Sequence, residues 1–132
     1  MEENNSEIKN GKVWLEEDGI IRIKTGENAD LDHVKKIVEN FTNIARTLNG
    51  KPKILIDTNA SNQNIGILYR RGVVKVFLDI YKNPGFEKIA LWGGKNKMIE
   101  IVGAFMIGAT GLKNIKYFKN EEKALKWLNE TN

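Results

Sequence analysis

The sequence predicts a single-domain α/β fold with a mixed sheet, in which an N-terminal antiparallel hairpin is followed by repeating β-α steps. Three observations predict it. Asp18-Gly19 lies between two β-rich runs, Leu31 to Leu48 carries apolar residues at helical spacing, and short apolar runs alternate with helical ones from Lys53 onward. Such alternation demands crossover connections and a largely parallel core.

The first strands are expected at Val13 to Leu15 and Ile20 to Ile23, because Asp-Gly between β-rich runs is a strong hairpin signal whose two-residue turn needs positive φ at both positions. The hairpin should form an edge of the sheet. The next element has apolar residues at Leu31, Val34, Ile37, Val38, Phe41, Ile44, Ala45 and Leu48, one face of a helix. Asp30 is its expected N-cap, and Gly50 and Pro52 stop it. Lys53 to Asp57 reads as a buried strand ending in a polar loop, Thr58 to Asn64.

A second helix is expected from Gly66 to Tyr81, closed by Asn83-Pro84-Gly85. Lys88 to Trp92 is a further buried strand, and Gly93-Gly94 turns the chain into a helix from Asn96 to Ile107 that Gly108 and Gly111 end. Ile115 to Phe118 and Glu121 to Asn129 make the last strand and helix. The predicted order is β-β-α-β-α-β-α-β-α, with helices mainly on one side of the sheet.

The chain has 132 residues, the size of one domain, with residues 1–11 expected as a disordered polar tail and 12–132 as the folded unit. Hydrophobic residues at 41% and charged residues at 29% match ordinary globular usage and not disorder. The absence of cysteine excludes disulfides, thiolate zinc and a cysteine nucleophile. An acidic, polar N-terminus is unlike a secretory signal, so a cytoplasmic location is expected. Met98 to Ile107 is too short to span a bilayer, so stable membrane insertion is not expected. The net charge of +4 is spread along the chain, and its densest group, Arg70, Arg71 and Lys75, fits a solvated helix face. Nucleic-acid binding is therefore not expected.

The segment Lys53 to Tyr81, together with Ile115-Lys116-Tyr117-Phe118 and Ala124-Leu125-Lys126-Trp127-Leu128, resembles the STAS superfamily, and more closely its bacterial SpoIIAA-like, or STAS/SEC14-like, branch. The resemblance runs from Lys12 onward. It implies a regulatory role like that of anti-sigma-factor antagonists, in which a Ser within an Asp-Ser-Ser-Gly-Leu type motif is phosphorylated to switch partner binding. Here the equivalent stretch reads Asn62-Gln63-Asn64-Ile65-Gly66-Ile67-Leu68, with Asn or Ile at the phosphoacceptor position. Thr58 and Ser61 are the nearby hydroxyls, and efficient phosphorylation of either is not expected.

Four groups of residues are candidates for a site. Asp57 ends a central strand, where sites of open α/β sheets gather, and a polar loop site there would comprise Asp57, Asn59, Ser61 and Asn64; the plainer role for Asp57 is to cap the following turn. Gly93, Gly94 and Lys95 lie between strand and helix, where backbone N–H groups can hold an anion, although two glycines also suit a tight turn. His33 stands without catalytic partners and reads as an exposed polar residue.

The stretch Met98 to Ile107 is apolar at every position except Glu100 and Gly103, more than a surface helix needs, so Met98, Val102, Phe105 and Met106 are expected to form an interface or an apolar pocket. Ordinary core packing is the alternative. No metal site, cofactor or catalytic constellation is expected. The function expected is that of a non-catalytic protein-interaction domain, with a protein partner or self-association. The alternative, implied by the SEC14-like relatives, is binding of a small apolar or lipid-like ligand.

Overall fold

The computed structural model describes residues 11–26, 31–60, 67–93 and 97–130, without the side chains of 67–69 and 98–99. Five strands, β1 (Lys12–Leu15), β2 (Ile21–Lys24), β3 (Lys53–Asp57), β4 (Lys88–Trp92) and β5 (Ile115–Phe118), form one sheet in sequence order. β1 pairs with β2 antiparallel at the edge, and every other pairing is parallel. The helices are α1 (Leu31–Ala45), α2 (Ile67–Lys82), α3 (Lys97–Thr110) and α4 (Glu121–Asn129). The element order matches the expectation. Asp30 lies outside the described residues.

Register explains the two cores. Ile21, Ile54, Ile89 and Ile115 stand opposite one another across four strands, and Ile23, Ile56, Leu91 and Tyr117 form the next row on the same face. Because side chains alternate along a strand, both rows meet the same helices, α1 to α3. The opposite face carries Leu55 and Ala90, against which α4 lays Ala124 and Leu128. Three helices cover one face and one covers the other.

Local chemistry departs from expectation at several points. The hairpin is not a two-residue turn with two positive φ values: Gly19 alone is left-handed, at φ 82°. The Gly19 N–H donates to the Glu16 carbonyl at 3.0 Å and the Glu16 N–H to the Ile20 carbonyl at 3.1 Å, which makes a three-residue loop closed by a glycine bulge. Asp18 keeps an ordinary conformation because its Oδ1 accepts from the Ile20 N–H at 3.0 Å.

Helix ends moved too. α1 ends at Ala45 rather than Leu48, and α3 runs through Gly108 to Thr110, stopping where Gly111 turns left-handed at φ 70°. At α4, the Asn120 Oδ1 caps the start by accepting from the Lys123 N–H at 2.9 Å. Its other end is held by the buried Lys88, whose Nζ donates to the Trp127 and Glu130 carbonyls, each at 2.9 Å, and lies 5.0 Å from the centre of the Trp127 ring. Among the described residues no helix is long and apolar enough to cross a membrane.

Candidate functional site

The face covered by three helices holds a partly open cavity of about 130 Å³. Its floor is the sheet, at Ile54, Ile56, Ile89, Leu91 and Tyr117, and its roof draws on Val34 and Val38 of α1, Val73 and Phe77 of α2, and Met106 of α3. Protein interiors are close-packed, so an apolar space of this size beside the sheet stands out. The described lining carries no charged side chain.

Hydroxyls at Thr25, Thr58 and Tyr117 belong to the lining, and all three make hydrogen bonds. Thr58 donates to the Trp92 carbonyl at 3.0 Å and stands 2.9 Å from the Tyr117 hydroxyl. Thr25 donates to the Asp57 carbonyl at 3.2 Å. The Tyr117 O–H also reaches the Gly93 carbonyl at 3.4 Å, so each hydroxyl has a carbonyl to donate to and either can donate to the other. Burial raises the Tyr117 pKa above the usual phenol value, the Thr58 hydrogen bond works against this, and the charges of Glu100 and Asp57 raise it further.

Two glycines make this arrangement possible. A Cβ on Gly93 would stand 2.5 Å from Thr58 Oγ1 and 3.0 Å from the Tyr117 hydroxyl, and one on Gly103 would stand 2.9 Å from Tyr117 Cε2. Tyr117 is thus wedged against α3 through a helix-interior glycine, a position that otherwise weakens a helix.

The sequence candidates are only partly brought together. Met106 is buried and lines the cavity, while Phe105 points outward and is 68% exposed, with Val102 half-buried between these extremes. Phe105 and Met106, both expected in one interface or apolar pocket, therefore face different surfaces, because adjacent helical residues lie about 100° apart. Ile101, 56% exposed and one turn before Phe105, is an outward residue that the sequence reading did not single out. The side chain of Met98 lies outside the described set.

In the polar loop, Asp57 Oδ1 accepts from the backbone N–H and the side-chain amide of Asn59, both at 2.9 Å, so it closes the turn. Ser61 and Asn64 lie outside the described residues. Thr58, read as the start of a polar loop, is instead buried.

The Gly93 N–H donates to the Phe118 carbonyl at 3.2 Å and is committed to the sheet, so it is not offered to an anion; Gly94 and Lys95 lie outside the described residues. The reason for glycine at position 93 is room for Thr58 and Tyr117, not a positive φ. His33 is half-buried rather than exposed. Among the described residues no group of three His, Cys, Asp or Glu side chains is placed to hold a metal ion.

A family model described as SpoIIAA-like matches residues 20–129, from the loop entering β2 to the end of α4. The chain belongs to the SpoIIAA-like family. SpoIIAA-like domains are regulatory domains akin to anti-sigma-factor antagonists, generally non-catalytic, and STAS domains commonly mediate protein interactions. No curated protein and no solved structure matches the chain.

Proposed function

We propose that this chain is a non-catalytic, cytoplasmic regulatory domain that acts by binding another protein or a second copy of itself, without a phosphoserine switch. The observation that carries the reading is the outward ridge of α3, where Ile101 and Phe105 stand one turn apart and largely exposed. Covering large apolar side chains is the main source of association energy. The stretch equivalent to the phosphoacceptor motif holds Asn62 to Asn64 and no hydroxyl. Thr58 is buried and hydrogen-bonded on two sides, which keeps a kinase from its oxygen.

The test pairs Ile101→Glu with Phe105→Glu. Self-association, read by light scattering, and co-purification with host proteins should both be lost, while the melting temperature stays within a few degrees of wild type. Unchanged association in the double variant would sink the α3 surface. A stoichiometric phosphate on Thr58 or Ser61, read by mass spectrometry of protein from its native host, would restore the switch.

A second reading, a binder of a small apolar ligand, is favoured by the cavity against Ile56, Leu91 and Tyr117. The two readings use opposite faces of α3 and are compatible.

A further inference from the structure

We infer that the cavity between the sheet and helices α1 to α3 is a binding site for a small, neutral, apolar molecule: a single aromatic ring or a compact branched hydrocarbon. This rests on the ligand reading above and narrows it from lipid-like molecules to guests the size of a ring.

Size is the first reason. An apolar cavity of about 150 Å³ takes up benzene, and the cavity here measures about 130 Å³. A fatty acyl chain has several times that bulk and would need the helices to part. Charge is the second. A carboxylate or phosphate headgroup taken inside must find a paired or hydrogen-bonding partner, and no charged side chain is part of the described lining.

Polarity is the third reason. The lining hydroxyls are already occupied: Thr58 with the Trp92 carbonyl and Tyr117, and Thr25 with the Asp57 carbonyl. A guest needs no polar group of its own to satisfy the site, and apolar contact area decides affinity.

A way in also exists. Val38, Val76 and Ile80 line the cavity and also line an outer groove between α1 and α2, whose other residues include Leu31, Lys35 and Lys75. These three aliphatic side chains border both spaces.

The experiment is a methyl-resolved NMR titration of the full chain with benzene and, separately, with palmitate. Benzene is expected to give saturable shifts confined to methyls of the lining, those of Ile54, Ile89, Leu91 and Val73, and palmitate none. Val73→Phe and Val34→Phe, on two different helices, fill the space from different sides. Each should weaken benzene binding at least tenfold while keeping a folded spectrum, so that one poorly folding variant does not end the test.

Palmitate shifts on the lining methyls without benzene shifts would overturn the size inference and leave the ligand reading standing. Absence of shifts with either probe would overturn both. Benzene shifts that survive both filling variants would place the guest elsewhere and overturn the assignment to this cavity.

Discussion

The two faces of the sheet are built from the same strands and differ in how they are filled. On the α4 face, Ala90, Ala124 and Leu128 are fully buried and Leu55 nearly so. Small residues on sheet and helix allow close approach there, and large ones interlock around them. On the face covered by α1 to α3, large aliphatic side chains line both layers, yet a cavity of about 130 Å³ remains. The difference teaches that apolar content does not decide packing density. One short helix set against Leu55 and Ala90 closes a layer, whereas three longer helices with branched side chains leave one partly open.

Truncation measures this difference most directly. Leu128→Ala removes a side chain surrounded on all sides and should cost about 4 kcal/mol, while Met106→Ala, beside a space that already exists, should cost about 2 kcal/mol. Urea denaturation of both variants checks it, and equal losses would mean that the two faces are packed alike. An effect smaller than that at Leu128 belongs to Lys88→Met, which leaves the Trp127 and Glu130 carbonyls at the end of α4 without their donor. The expected cost is about 2 kcal/mol, with methyl spectra of the cavity face unchanged. Spectral changes spreading to Ile56 or Leu91 would show that the faces are coupled.

The smallest effect is at Tyr117. Replacing it with Phe removes one hydrogen bond to Thr58 and should cost about 1 kcal/mol at neutral pH. Because burial raises the folded-state pKa of Tyr117, the folded protein holds that proton more tightly than the unfolded chain does. This contribution is fully present below the usual phenol pKa near 10 and is lost as pH rises through the higher folded value. Tyr117→Phe should flatten that alkaline loss in a pH series of denaturation curves. An identical alkaline slope in wild type and variant would place the Tyr117 hydroxyl in solvent.

Much of the fold was legible in the chain because hydrophobic period is a local signal. Threes and fours from Leu31 to Ala45, the run Lys53 to Asp57 and the ending Ile115 to Leu128 each marked an element that the structure contains. Alternation along β5 puts Tyr117 on the face of Ile115, a hint of its inward position that the sequence reading did not use. The outward ridge was half legible: the excess of apolar residues in α3 was visible, but which of them face solvent depends on how the helix is rotated against the sheet. In that rotation Gly103 faces the Tyr117 ring, where a Cβ would stand 2.9 Å from Tyr117 Cε2.

By itself, then, the sequence determined the order and kind of the elements and the parallel core. Tertiary structure alone decided three matters. Thr58 joined the interior rather than a polar loop because its hydroxyl found both the Trp92 carbonyl and Tyr117. Gly93 was needed for space rather than for a turn because those two side chains meet above it. The cavity exists because helices separated in sequence meet one sheet face without filling it, and a void is a property of several elements at once that no local pattern encodes.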